Sequence, residues 1–223
     1  MLSGNNLDDR IGFIRKTYAI LSVMLTFSFA WVAAVTLDAD MNTWMRGQLI
    51  LAIVCVLTTL PLMIVLFCCR SVARSVPTNY ILLGLCNILF TVLLCFTSAF
   101  YKAQSIVVAA GMTLIMVIAL TIFACTTKID ITIRKELILI VVVTAMLIGL
   151  ASWFIPANSW WHHFAAGAFV LIYSFYIVWH TQLIMGGKGE ELSIDDYVVG
   201  ALLLYIDIIY LFMNLLRLMG DRA

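Results

Sequence analysis

Asp207 stands in the middle of a run from Tyr197 to Leu218 that is otherwise almost wholly apolar. A carboxylate at bilayer depth costs at least ~2.5 kcal/mol on insertion scales, so such a residue faces a bundle interior and has a partner or a task. The plainer alternative is a protonated, hydrogen-bonded packing group. On a helix, Gly200, Asp207, Tyr210, Asn214 and Arg217 share one face, polar over about four turns. Lipid does not tolerate such a face. It lines an interior or an aqueous path, or it serves interhelical hydrogen bonds worth only ~0.6 kcal/mol on average. One connection upstream, Tyr173, Tyr176 and His180 are spaced i, i+3, i+7 on a second common face. A histidine near a helix end is also commonly an interfacial packing residue. The short connection to the next helix favours a role beside Asp207, because tight hairpins make consecutive helices antiparallel neighbours.

Catalytic readings fit these residues poorly. Zinc ligands must lie within about 2 Å of one metal. His162 and His163 open a span, and His180 follows His163 by 17 residues, ~25 Å along a helix. An intramembrane aspartyl protease needs two embedded aspartates, and only Asp207 is available. No Gly-x-Ser-type elbow pairs with a histidine, and no lysine lies inside a span for a Schiff base. The reading is therefore of a protein that is not an enzyme, without cofactor and without a fixed metal site.

The elements that position these residues follow from composition. Apolar residues make up 64% of the 223 and charged residues 11%, against the ~25% charged residues usual in soluble domains. Lipid must be the solvent for much of such a surface. The net charge of +1 argues against a nucleic-acid footprint. Seven apolar stretches have the length of about 20 residues that a helix needs to cross the hydrocarbon core. They are 17–37, 48–69, 79–100, 105–126, 136–155, 163–185 and 195–218. The first is too long for a signal-peptide core and is expected to be a retained helix. The expectation is an all-α integral membrane protein, one domain over residues 1–223, with the last of seven helices enclosed by the others.

Connections and charges refine this picture. Arg10, Arg15, Lys16, Arg70, Arg74, Lys128, Arg134, Lys135 and Lys188 fall on one side, against Arg46, Lys102, Arg217 and Arg222 on the other. The excess of basic residues places the N-terminus in the cytosol. A full seventh crossing puts the C-terminus across the membrane, whereas a re-entrant last segment returns it. Pro61 is expected to kink the second span, Pro77 marks a loop and Pro156 ends the fifth span. Residues 186–191 read as a flexible turn. Ser193 and Asp196 resemble a capping box, with Asp195 adding a favourable charge at the helix start. None of Cys55, Cys68, Cys69, Cys86, Cys95 and Cys125 has zinc-ligand spacing or suits a disulfide framework. Cys68 and Cys69 at a span end suit palmitoylation or plain membrane-edge positions.

Several motifs carry a resemblance across nearly the whole chain. They are residues 14–22 (Ile14-Arg15-Lys16-Thr17-Tyr18 onward), Pro77-Thr78-Asn79-Tyr80, residues 123–130, Thr181-Gln182-Leu183-Ile184-Met185-Gly186-Gly187-Lys188 and Leu204-Tyr205-Ile206-Asp207-Ile208-Ile209. The chain resembles the transmembrane Bax inhibitor motif family, particularly its lifeguard and Golgi anti-apoptotic branches. The resemblance implies a calcium-permeable leak pathway in internal membranes, endoplasmic reticulum or Golgi, with the plasma membrane as the alternative. It also implies an anti-apoptotic, calcium-lowering role and a last helix wrapped by the rest. In the family a pair of aspartates forms a pH-sensing gate. Asp207 matches the second of them, but the first, within Asp-Thr-Gln, is here His180 of Trp179-His180-Thr181-Gln182.

Two close carboxylates cannot both ionise cheaply, so one holds a proton whose loss drives a switch. Histidine opposite aspartate instead makes an attractive pair when protonated. The functional expectation is a pH-modulated calcium leak channel gated by His180 and Asp207, with Asp207 as a transient calcium contact. Tyr173, Tyr176, Tyr210, Asn214 and Arg217 are candidates for lining the pathway. The alternative is a non-conducting regulator that binds other membrane proteins of the death or stress pathway. Partners are then calcium, lipid and such proteins. A count along the helices leaves His180 nearer the connection than Asp207, so contact requires the two helices to be offset.

Overall fold

The structure is a computed structural model and describes residues 4–132, 135–155, 160–186 and 191–222. The described residues form helices α1 (Gly4–Leu37), α2 (Ala39–Arg46), α3 (Leu49–Cys68), α4 (Arg70–Arg74) and α5 (Thr78–Ser98). They continue as α6 (Ala103–Thr126), α7 (Lys135–Phe154), α8 (Trp160–Met185) and α9 (Tyr197–Met219). Six of these are long and apolar enough to cross a membrane: α1, α3, α5, α6, α8 and α9. In α7 the qualifying apolar stretch, Leu137–Ser152, is shorter. The chain is a helical integral membrane protein, with six such spans among the described residues. The seven expected stretches all coincide with helices, and α7 is 20 residues long, as α3 is. The hydrocarbon-facing surface is plain at Val23, Ile50 and Ile115, which are 70%, 79% and 69% exposed. Side chains of this kind are left outside only where the solvent is as apolar as they are.

The chain divides into two compact units. The first holds Met1–Ala103, Leu192–Tyr205 and Asp221–Ala223, and the second Gln104–Glu191 and Ile206–Gly220. In the first unit α5 packs against both α1 and α3, burying Leu83, Cys86, Phe90 and Leu94. In the second, α7 packs against α8. The two short helices α2 and α4 had no counterpart among the sequence expectations. α2 starts where Asp38 caps it, Oδ1 accepting from the N–H groups of Asp40 at 2.9 Å and Met41 at 3.0 Å. α3 runs through Pro61 as one continuous helix.

α9 differs from every other span. Of its apolar window 72% is buried, against 17–44% in the other five. Within the first unit its two ends are tied to different connections. Just before it, Arg10 donates to the Leu192 carbonyl at 2.5 Å, and Arg74 binds the Asp196 carboxylate through two contacts at 2.7 and 2.9 Å. That carboxylate holds the Arg74 guanidinium above its ordinary range, first by the hydrogen bond and then by charge. Beyond α9, Lys102 N–H donates to the Asp221 carbonyl at 3.0 Å, and Tyr101 and Arg222 form a backbone bridge. The residues before the helix thus meet α1 and α4, and those after it meet the α5–α6 connection.

The capping box expected at Ser193 and Asp196 takes another form. The Asp196 carboxylate is spent on Arg74, while the Ser193 carbonyl accepts the Asp196 N–H at 2.9 Å. An ionic partner outcompetes a backbone N–H for a carboxylate when geometry allows two parallel bonds. Arg134, Pro156 and the Gly187 to Glu190 stretch lie outside the described residues.

Candidate functional site

The second unit brings the two polar faces together. His180, near the end of α8, places Nδ1 2.5 Å from Oδ2 of Asp207 in α9. Both side chains are buried, at 9% and 4% exposure. The meeting requires the offset anticipated from the sequence. His180 precedes the end of α8 at Met185 by five residues, and Asp207 follows the start of α9 at Tyr197 by ten. Five residues of helix are ~7.5 Å, which is the offset between α8 and α9 where the two side chains meet.

Around the pair stands an aromatic wall. Tyr176 stacks on the His180 ring at 5.8 Å and 13°, and Trp179 lies 4.8 Å from it. Tyr173 stacks on Tyr210 at 5.2 Å and 9°, and lies 6.2 Å from Tyr176. These tyrosines are half-buried. Asn214 is buried, its amide donating to the Tyr210 carbonyl at 2.8 Å. Arg217 lies apart from this group, exposed in the last turn of α9. Among the described residues no group of three or more His, Cys, Asp or Glu could hold a metal ion.

The chemistry open to the pair is the placement of one or two protons. With two, it is neutral, either as imidazolium against carboxylate with Nδ1–H donating or as imidazole against carboxylic acid. With one, it carries a single negative charge. The protons belong to the pair as a unit. Its charge therefore changes in whole steps.

Two polar devices escaped sequence reasoning. Gln182, two residues after His180, accepts the Ile131 N–H through Oε1 and donates to the Ile129 carbonyl through Nε2, both at 3.0 Å. One side-chain amide thus straps the segment after α6 to α8. In the first unit, Ser28 Oγ lies 2.7 Å from Tyr205 Oη, 2.8 Å from Thr91 Oγ1 and 3.1 Å from Asn87 Oδ1. All four residues are buried. Isolated polar residues in apolar spans, with Asn87 and Thr91 at i, i+4, were the available signal.

The comparisons with known proteins settle the family. Residues 10–223 match the family described as Bax1-I, inhibitor of apoptosis-promoting Bax1. The chain belongs to the Bax inhibitor-1 family. It is 30% identical to Protein lifeguard 3 of Homo sapiens over 94% of this chain and 68% of that protein. With Protein lifeguard 3 of Mus musculus the identity is 29%, covering 96% and 70%. With Bax inhibitor 1 of Schizosaccharomyces pombe it is 28%, covering 95% and 77%.

Proposed function

We propose that this Bax inhibitor family member is an anti-apoptotic membrane protein that acts as a calcium-permeable, pH-modulated leak channel of the endoplasmic reticulum or Golgi, with its N-terminus in the cytosol. His180 and Asp207 form its gate. The observation that carries the reading is the buried His180–Asp207 contact in the most buried span. A carboxylate kept at bilayer depth marks an ion path more readily than a packing contact. The half-buried Tyr173, Tyr176 and Tyr210 and the Asn214 amide line the approach to it, and Asp207 gives calcium a transient contact. Seven helices, α7 included, make up the crossing bundle.

The gate follows from the proton count. At higher pH the pair holds one proton, carries negative charge and attracts a cation. Acidification adds the second proton, which neutralises the pair and draws imidazolium and carboxylate together across α8 and α9. The leak therefore closes as pH falls. Calcium efflux from liposomes containing only this protein, measured across pH, tests the reading. Efflux that rises with pH supports it. If the protein moves no calcium at any pH, it acts instead as a non-conducting regulator that binds other membrane proteins of the death pathway.

A further inference from the structure

The first unit contains a cavity of about 690 Å³ lined by α1, α2 and α5, within the ~300–1,000 Å³ typical of small-ligand sites. Its walls are apolar and aromatic. Phe27 and Trp31 of α1, which meet edge to face at 6.4 Å, line it together with Trp44 of α2 and Val92 and Cys95 of α5. Trp31 and Trp44 are 46% and 56% exposed, so the cavity communicates with the surface at the end of α1. There, at the connection to α2, the lining changes character to Asp38 and Asp40.

These two carboxylates have no cationic partner among the described residues. Asp38 is engaged only by the N–H groups that it caps, and α2's single basic residue is turned away. Arg46 Nε donates instead to Asn42 Oδ1 at 2.9 Å and to the Ala99 carbonyl at 2.8 Å. An apolar cavity with two exposed carboxylates at the end of a membrane-length helix has the polarity of an amphiphile with a cationic head.

We propose that this cavity binds a long-chain amine of the bilayer, of the sphingoid-base type. The alkyl chain lies between α1 and α5 against Phe27 and Val92. The ammonium group meets Asp38 and Asp40, and the indole faces of Trp31 and Trp44 favour a cation beside them. A fatty acid of the same chain length places its carboxylate against two others and is rejected. The phosphate of phosphatidylcholine meets the same repulsion. The site is independent of His180 and Asp207 and holds whether or not the protein conducts.

The test uses the full chain in phosphatidylcholine nanodiscs and reads tryptophan quenching by three brominated lipids of matched chain: a sphingoid base, a fatty acid and phosphatidylcholine. Trp31→Phe and Trp44→Phe identify the part of the signal that comes from the cavity. Saturable quenching by the amine, beyond that by the other two, is the expected result. Asp38→Asn with Asp40→Asn keeps the cap, because asparagine also caps well. It should weaken the amine about three- to five-fold, the scale of a partly exposed ion pair. Val92→Phe should weaken binding by narrowing the space between α1 and α5. Equal quenching by all three lipids, or an amine preference that survives both the asparagine pair and Val92→Phe, overturns the proposal.

Discussion

The His180–Asp207 pair and the Ser28–Asn87–Thr91–Tyr205 cluster both draw on α9, from residues only two apart in sequence, yet they are opposite kinds of polar site. The cluster is made of hydroxyls and one amide, all neutral across the physiological range. Its four groups satisfy one another with Ser28 at the centre. Nothing in it changes state, so it suits holding α1 and α5 to the first half of α9. The pair contains two ionisable groups, one of them a carboxylate that lipid penalises. Polarity alone therefore does not separate scaffold from function inside a membrane. On the proposed function, the capacity to change charge does.

Replacing Asp207 by Asn puts that distinction under the greatest strain. The shape is kept, the charge is lost, and expression should stay near that of the parent. Calcium leak in liposomes should fall about ten-fold, equivalent to roughly 1.4 kcal/mol of barrier. Equal rates in mutant and parent would make Asp207 a packing residue like Tyr205.

His180→Gln should come next in size. It keeps a hydrogen-bonding partner for Asp207 but cannot carry the second proton. The leak should lose its pH dependence between about 5.5 and 7.5, the range around the histidine reference value near 6.5. His180→Asp should restore a titration with a shifted midpoint. Unchanged profiles in both variants would remove histidine from the gate.

Gln182→Leu separates positioning from charge within the same unit. Two hydrogen bonds to the segment after α6 vanish together, each worth about 1 kcal/mol net. Amide exchange at Ile131 should accelerate, with the pH midpoint of the leak held. A shifted midpoint would show that the strap sets the charge of the pair as well.

The smallest effect is expected at the neutral cluster. Tyr205→Phe removes one hydroxyl and leaves Ser28 with Thr91 and Asn87. Interhelical hydrogen bonds in membranes average ~0.6 kcal/mol and reach ~1.7, so the thermal midpoint in detergent should drop slightly and the pH profile should stay put. A pH profile altered by Tyr205→Phe would collapse the comparison between the two regions.

Much of this molecule is legible in its residues. Hydrocarbon demands long apolar helices with every backbone group satisfied internally, so the sequence alone locates them to within a few residues. The burden of a buried carboxylate singled out Asp207 before any contact was known, and helical spacing put Tyr173, Tyr176 and His180 on one face. The same spacing put Arg217 with Asp207 and Asn214, yet it is exposed, because a face drawn around a helix does not say where its packing stops. Depth was also out of reach. His180 and Asp207 meet only through an offset of α8 against α9, and offsets are set by how side chains interlock. The partners of Gln182, Ser28 and Asp196 belong to the same class. Short polar groups bond whatever tertiary packing brings within about 3 Å, and no periodicity in one chain encodes that choice. α2 was missed for a related reason, since eight residues at an interface carry too little apolar pattern to read. Local composition thus decided which segments enter the membrane and which carboxylate must have a partner. Only the packed helices decided that the partner is His180.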